Sequence, residues 1–238
     1  MYSKIKSYNE LKFDMRVIWQ QMIEEMNDIV LIIVAHPDDE AISMGGTIKK
    51  HVEKGDSVYV VSMTDGVGAR GKKINDDAVK RNQESKKSSE CLGFVWAESY
   101  NFSDNAMDSY PLLEIVKCIE KAKNEYNPSL IYTHSGADLN VDHRVVANAV
   151  LTAFRPQPNE KCKEIRLFEV ASATDYGNEA LTGSFTPNLF IDIKETWDAK
   201  ATALNAYKSE MRDYPHSRSI EGIHNLAKLR GNQVGLIM

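Results

Sequence analysis

Short apolar runs alternate along the chain with longer segments whose apolar positions recur at helical spacing. The clearest runs occupy residues 28–35 (DIVLIIVA), 57–64 (SVYVVSMT) and 129–133 (SLIYT). Runs of this length, rich in β-branched residues and without polar alternation, are typical of strands buried on both faces. Because strands here alternate with helical patterns, we predict a Rossmann-like α/β fold with a mostly parallel sheet and helices on both faces.

Weaker signals complete the predicted sheet and its helices. Further strands are predicted at residues 94–96, 165–170 and 189–193. Helices are predicted from about residue 39 to 53, and at 77–92, 111–126, 142–154, 196–208 and 219–230. No internal repeat or Gly/Ser-rich linker interrupts the pattern, so residues 28–238 are predicted to form one domain.

The first 27 residues are predicted to form a helical extension of that domain. Within residues 7–26 the apolar positions recur at near-helical spacing. They are Leu11, Met15, Ile18, Met22 and Ile23. The segment lacks residue types suited to catalysis, so we expect it to pack on the domain or on a partner subunit, which leaves a homo-oligomer open.

Composition narrows the classes of function. The 238 residues are enough for one sizeable α/β core, and the formal net charge of -5 argues against nucleic acid or an anionic membrane as partner. No apolar stretch is long enough for a membrane span, and no signal peptide is visible. The three cysteines form no CxxC pair and are expected to be reduced. These features together lead us to expect a cytoplasmic protein.

Two of the predicted strands run directly into loops rich in histidine and aspartate. The first reads His36-Pro-Asp-Asp-Glu40, and the second extends from His134 through Asp138 and Asn140 to His143. The carboxyl ends of parallel strands meet at one edge of a sheet, where open α/β sheets bind their ligands. We therefore expect the two loops to face each other across one crevice.

This constellation predicts a catalytic zinc site. Such sites use three His or carboxylate ligands and keep one position open, and His36, Asp39 and His143 are the candidates, for one zinc ion per chain. Asp38 would then take a proton from the attacking water, while Glu40 suits the first turn of a helix. The alternative for each loop alone is structural, with the aspartates capping a helix and the histidine merely packed.

The same residues resemble a known family. AHPDDE at 35–40 is similar to the signature of the PIG-L/LmbE-like deacetylases, and DLNVDHR at 138–144 resembles a second block of that family. Supporting blocks follow in order from about residue 28 to the end: TDG at 64–66, RNQES at 81–85, FSDNAMD at 102–108 and PHSRSIEG at 215–222. The resemblance implies zinc-dependent removal of an N-acetyl group from a glucosamine-containing substrate.

Carried over by position, the resemblance also implies residues that bind substrate. Arg70 and Asp104 match loop positions that meet sugar hydroxyls, and His216 matches a C-terminal block that lines the pocket in relatives. For His216, capping and packing of a helix is an equally good interpretation. Asp142 is expected to orient a neighbouring side chain from behind the ligands.

One departure from the family pattern concerns the oxyanion. Many members carry a histidine where this chain has Asn140, and that histidine is credited with stabilising the negative oxygen. The Asn140 amide can donate a hydrogen bond in its place, as side-chain amides do in oxyanion holes. His134 is the second candidate donor.

The sequence therefore predicts a metal-dependent N-deacetylase with a small-molecule sugar substrate, N-acetylglucosamine-like and either nucleotide- or lipid-linked. Two alternatives stay open. The first is a zinc amidase that acts on a non-sugar amide, such as a thiol conjugate or an antibiotic intermediate. The second is a carbohydrate-binding protein without catalysis, which has no need for an acid such as Asp38 beside three ligands.

Overall fold

Five parallel strands form the central sheet of the computed structural model, which describes residues 27–68 and 75–237. The strands are β1 (Ile29–Val34), β2 (Ser57–Thr64), β3 (Val95–Phe102), β4 (Leu130–His134) and β5 (Glu164–Phe168). They lie in the order β3-β2-β1-β4-β5, so the direction of winding reverses between β1 and β4. Ligands of open α/β sheets bind at such a reversal.

Helices cover both faces of the sheet. They are α1 (Asp39–Lys54), α2 (Asn75–Leu92), α3 (Leu112–Tyr126), α4 (Val141–Ala153), α5 (Glu179–Thr182), α6 (Trp197–Ala206) and α7 (Ile220–Val234). Side chains of α1, α2, α6 and α7 join the core on one face, and those of α3 and α4 join the core on the other. The predicted fold is confirmed: a parallel sheet between two helical layers.

Strand β1 shows why the sequence folds this way. Val30, Ile32 and Val34 pack into the core on one face, and Leu31 and Ile33 pack into the core on the other. All five side chains are fully buried. Burying each contributes about 1.5–3 kcal/mol relative to exposure, so an apolar strand is most stable in the middle of the sheet. The loop after β1 is thereby held at the centre of the molecule.

One predicted strand is wrong. Residues 189–193 do not pair with any described strand. Instead Ile193 packs against α1 at Gly46, where a Cβ atom would lie only 2.7 Å from that of Ile193. A cavity of about 680 Å³ separates residues 184–193 from β5. The segment contacts a helix because a glycine there admits its side chain, and a contact of this kind leaves no periodic signal in the sequence.

Other boundaries differ less. Strand β3 is longer than the predicted residues 94–96 and ends at Phe102, and α5 was not predicted. The predicted helix at residues 7–26, and with it the extension 1–27 but for its last residue, lies outside the described residues, as does Arg70. None of the described helices is long and apolar enough to cross a membrane.

Candidate functional site

The loops after β1 and β4 meet at the winding reversal and form one wall of a cleft of about 420 Å³. Helix α2 and the segment before α7 form the opposite wall. The cleft is lined by His36, Asp38, Asp39, Gly66, Val67, Asp77, Lys80, Arg81, Asp104, Asn105, Asn140, His143, Ser209, Glu210 and Arg218. Most of the lining side chains are charged or polar, as expected of a site that binds a polar molecule.

Three ligand-type side chains converge on the floor of this cleft. His36 Nδ1 lies 3.3 Å from Asp39 Oδ2, and His143 Nε2 lies 3.4 Å from Asp39 Oδ1. One ligand atom from each residue lies within 4.8 Å of the others, and all three residues are buried. The structure thus brings together the three residues that the sequence suggested as metal ligands.

Local structure explains how the ligands reach this position. Asp39 begins α1 and follows His36 after a single turn, with Asp39 Oδ2 accepting the His36 backbone N–H at 2.9 Å. His143 lies in the first turn of α4, whose N-cap is Asn140. The Asn140 side-chain oxygen accepts the N–H of Asp142 at 2.8 Å, as N-cap side chains commonly do.

A second layer of carboxylates holds the two histidine rings. His36 Nε2 lies 3.2 Å from both Asp104 Oδ1 and Asp142 Oδ2. Asp142 in turn accepts the backbone N–H groups of Asn105 at 2.7 Å and Met107 at 3.0 Å. These three side chains form another ligand-like group, but both Asp142 oxygens already accept backbone hydrogen bonds. We interpret Asp142 as the group that orients the His36 ring.

His143 has an equivalent partner. Its Nδ1 lies 3.1 Å from Asp138 Oδ2, so this carboxylate is the partner of the His143 ring on the side away from Asp39. Asp138 is fully buried, and its oxygens accept hydrogen bonds from the Thr174 hydroxyl at 2.7 Å and the Asn140 N–H at 2.8 Å. A carboxylate behind a histidine is the usual arrangement around a bound metal ion.

The electrostatics of this group fit a cation. Burial alone would lower the pKa of His143, but Asp39 and Asp138 outweigh burial and raise the pKa to about 9. Burial opposes the charge on Asp39 as well, yet the neighbouring His143 and His134 rings hold its pKa well below the ordinary range. Carboxylates of Asp38, Asp39, Asp104, Asp138 and Asp142 surround the histidines, so a divalent cation matches both the ligand set and the excess of negative charge.

Asp38 has the backbone conformation of a strained residue. Its φ of 146° and ψ of -27° lie where residues other than glycine are rarely found. Such strain is characteristic of functional sites. Burial, together with the Asp39 carboxylate, raises the pKa of Asp38 to about 6. The Arg218 guanidinium lies 3.6 Å away and provides its nearest described cationic partner.

Two predicted residues lie away from the cleft. His134 is fully buried beneath it, stacks on the His143 ring at 4.0 Å, and accepts the Ala35 N–H on Nε2 at 2.9 Å. His216 is turned towards the chain, because its Nδ1 accepts the Arg218 N–H at 3.0 Å. Neither lines the cleft, whereas Asn140, Asp104 and Arg218 do.

Sequence reasoning missed several residues of the site. Arg81 and Glu210 line one wall of the cleft and form a buried ion pair with each other, and Asp138 and Thr174 support His143. Arg81 lies in the RNQES block, so that block was a signal for it. Thr174 and Glu210 gave no signal, because each joins the site through contacts between residues far apart in the chain.

Comparison with known proteins places these features in context. The sequence profile of the family described as PIG-L: GlcNAc-PI de-N-acetylase matches residues 31–154. The probable N-acetyl-alpha-D-glucosaminyl L-malate deacetylase 2 of Bacillus cereus is 31% identical over 188 residues, which cover 76% of this chain and 83% of that protein. The diacetylchitobiose deacetylase of Thermococcus kodakarensis is 30% identical over 202 residues, covering 79% of this chain and 72% of the relative.

A solved structure supports the fold. The N,N'-diacetylchitobiose deacetylase from Pyrococcus horikoshii, complexed with its inhibitor MPG, superposes with a TM-score of 0.70 at 22% identity. The match covers 99% of this chain and 91% of the other. At this identity the superposition shows a shared fold.

Proposed function

Because the chain belongs to the PIG-L family of GlcNAc-PI de-N-acetylases, we propose that it is a metal-dependent hydrolase that removes the acetyl group from an N-acetylated sugar. Two relatives that cover most of the chain act, by their names, on an N-acetylglucosaminyl malate and on diacetylchitobiose. The observation that carries the proposal is the buried group of His36, Asp39 and His143 beside the strained acid Asp38.

The metal we propose is zinc, one ion per chain, held by His36, Asp39 and His143. Two imidazoles and one carboxylate are a common ligand set for catalytic zinc. The chemistry that zinc supplies when bound is polarisation of the acetyl carbonyl and a lower pKa for the attacking water. Asp142 and Asp138 would fix the two rings, each through the nitrogen that does not face Asp39.

Asp38 is the proposed general base. It would accept a proton as water attacks the acetyl carbon, and deliver that proton to the amine nitrogen as the C–N bond breaks. The products are acetate and the free amino sugar. A pKa raised to about 6 suits this role, because the group is ionised at neutral pH and still returns its proton readily.

Asn140 is the proposed donor to the negative oxygen that forms on the acetyl carbon. Its side-chain oxygen is fixed by the cap of α4, which fixes the orientation of the amide as a whole. Among the described residues, its Nδ2 has only Asn105 Oδ1 as acceptor, at 3.2 Å, and this leaves one N–H for the substrate. His134 is less suited, because it lies beneath the cleft.

Sugar hydroxyls would meet the upper part of the cleft. Asp104 and Arg218 line the cleft. Arg70, which the sequence suggested for the same role, lies outside the described residues. We propose that these side chains position the sugar ring and so the scissile amide. His216 would act indirectly, since it holds the backbone of Arg218.

The direct experiment is a screen for acetate release from N-acetylhexosamines in free, nucleotide-linked and lipid-linked form, with zinc-loaded protein. We expect at least one of them to yield acetate and free amine in equal amounts. Glycopeptide and thiol-conjugate amides serve as competing substrates. If only these non-sugar amides are cleaved, the sugar assignment is wrong. If no amide is cleaved, the hydrolase assignment is wrong too.

A further inference from the structure

The strained backbone of Asp38 must be held in place by its contacts. A residue held at φ 146° is strained, and this conformation persists only where surrounding contacts leave it no alternative. The Asp38 side chain makes no capping hydrogen bond to α1. The constraint must therefore act on the backbone.

The peptide unit between Pro37 and Asp38 is held from both sides by buried ionisable side chains. On one side, Arg81 Nη1 donates a hydrogen bond to the Pro37 carbonyl at 2.9 Å. On the other, the Asp38 N–H donates to Glu40 Oε2 at 3.0 Å. Arg81 is 5% exposed and Glu40 is fully buried, so both hydrogen bonds are shielded from water. The bond from the Arg81 guanidinium is also charge-assisted. Together the two hydrogen bonds fix the plane of this peptide, and the Asp38 carbonyl on the other side of Cα accepts the N–H groups of Ala41 and Ile42 in α1. The rotation about the N–Cα bond of Asp38 is set between these two fixed units.

Both clamping side chains are anchored by distant elements. Glu40 Oε1 accepts hydrogen bonds from the Tyr207 hydroxyl at 2.7 Å and from Ser88 Oγ at 3.1 Å. Tyr207 follows α6 and is fully buried, and Ser88 lies in α2. Arg81, also from α2, forms its ion pair with Glu210. The clamp thus joins α1, α2 and the end of α6.

Gly66 makes room for this arrangement. A Cβ atom at Gly66 would lie 2.9 Å from Arg81 Nη1 and 3.1 Å from Pro37 Cδ, and the residue has a φ of 66°. Any side chain there would push the guanidinium away from the Pro37 carbonyl. The TDG and RNQES blocks, which the proposed chemistry leaves without a role, both fall within the clamp.

We propose that Arg81 and Glu40, the latter anchored by Tyr207, clamp the peptide bond before Asp38 and hold this residue in the strained conformation that presents its carboxylate to the cleft. They are positioning residues, since neither is assigned a step in the reaction. The inference that the clamp sets the rate rests on the proposed deacetylase function, whereas the inference that it holds strain does not.

A pair of tyrosine variants tests whether the clamp sets the rate of the reaction. Tyr207→Phe removes only the hydroxyl that anchors Glu40. Tyr132→Phe is the matched control, because that hydroxyl is also buried and bonded, to His51 and Arg166, but remote from the cleft. We expect both variants to lose some stability and both to retain zinc. Only Tyr207→Phe should lose kcat, by about tenfold or more with KM little changed, as small misplacements of reacting groups do. Equal kcat values in the two variants, or loss of zinc from Tyr207→Phe, would overturn the inference that the clamp sets the rate.

Melting temperatures test, without any substrate, whether Asp38 is held in a strained conformation. Glycine adopts positive φ readily and alanine does not, so Asp38→Gly should melt at least about 2 °C above Asp38→Ala. The same exchange at Ser219, the N-cap of α7 with a φ of -77°, measures the ordinary N-cap preference for glycine. The difference in melting temperature between the glycine and alanine variants should be larger at residue 38 than at residue 219. Equal differences at the two positions would show that Asp38 is not strained. If the wild type cleaves no sugar amide, the proposed function fails, while this comparison still decides whether residue 38 is held in a strained conformation.

Discussion

At the scale of single residues, the two histidines of the candidate metal centre share one arrangement. Each ring has one nitrogen near Asp39 and the other near a second buried carboxylate, which is Asp142 for His36 and Asp138 for His143. Such partners fix the ring and make the metal-facing nitrogen a better ligand. Metal affinity should therefore depend on residues that never touch the ion.

We expect Asp138→Asn to weaken zinc binding by about 10- to 100-fold, the usual effect of removing such a partner, and His143→Ala to abolish stoichiometric zinc. Competition with a chromogenic chelator measures both. Asp56→Asn is the matched control, because Asp56 is also buried and bonded to a histidine, His51, at 2.7 Å, but away from the site. Equal zinc affinity in the two Asp→Asn variants would remove Asp138 from the account.

Asn140 supports the second prediction at this scale. Asn140→Ala should bind zinc normally and lose turnover by about 100- to 1,000-fold, the typical cost of one oxyanion donor. An amide does not titrate near neutral pH, so the wild-type profile should lack an alkaline limb from a histidine at this position. Steady-state kinetics from pH 5 to 10 would check both points. A silent Asn140→Ala together with an inactive His134→Ala would reassign the donor to His134.

The sequence could identify these residues only in part. His36, Asp38, Asp39 and His143 stand in short motifs, so their types and spacing were enough to suggest them. The direction in which His216 points was not predictable, because it depends on a hydrogen bond to Arg218 that only the folded loop creates. His134 was a reasonable candidate by type, but the pairing of β4 buries it.

At the scale of elements, α1 is a broken helix held in place by α6. Met44 has a non-helical φ of -133°, so the helix is kinked five residues after the metal-ligand position Asp39. The carbonyl of Ser43, at the break, accepts a hydrogen bond from Lys200 Nζ at 3.1 Å. A cation at the end of a helical segment is favourable, but here it is buried, and burial lowers the pKa of Lys200 to about 8.

This lowered pKa predicts how stability depends on pH. Below pH 8 Lys200 is protonated in both the folded and the unfolded chain, and the cost of its buried charge is fully present. Between pH 8 and the unfolded value of about 10.4 the folded chain binds fewer protons, so stability rises with pH. We expect the free energy of unfolding of the wild type, relative to Lys200→Met, to increase between pH 7.5 and 9.5. Denaturant unfolding measures it, and a difference that stays constant would contradict the burial of a charged lysine.

Element types were largely predictable, because apolar runs and helical periodicity reflect which faces are buried. The exceptions have physical causes. Residues 189–193 read as a strand because they are apolar and β-branched, yet they pack on Gly46 of α1 instead of pairing. The strand order was not predictable, since the insertion of β4 beside β1 depends on pairing between residues far apart in the sequence.

At the scale of the whole molecule, the site follows from topology. Strands β1 and β4 are neighbours in the sheet although about a hundred residues separate them, and each ends in a loop that carries one histidine of the centre. Reversal of the winding between them opens the crevice. That the site lies at the carboxyl edge was therefore predictable from the parallel sheet alone, whereas its place between β1 and β4 and the opposite wall, from α2 and residues 209–218, were not.

The extension before β1 gives a prediction for the whole chain. An apolar stripe of this kind is expected to be buried, against the domain or against a partner subunit. Deletion of residues 1–26 should therefore lower the melting temperature by several degrees, at about 2–4 °C per kcal/mol for a chain of this size, or change the molecular mass measured by light scattering. Deletion of residues 1–6, which precede the stripe, is the control. Unchanged stability, mass and activity in the longer deletion would show that the extension is dispensable.

The most direct test of the account is to measure zinc content and acetate release on one preparation of Asp38→Asn, with the sugar substrate found by the screen. If Asp39 holds the metal and Asp38 moves the proton, the variant keeps about one zinc per chain and its fold but loses roughly 100-fold or more in turnover. The wild type should in addition lose activity as the pH falls through about 6, the pKa of Asp38. Wild-type turnover in Asp38→Asn would contradict the assignment of the base, and loss of zinc would show that Asp38 is itself a ligand.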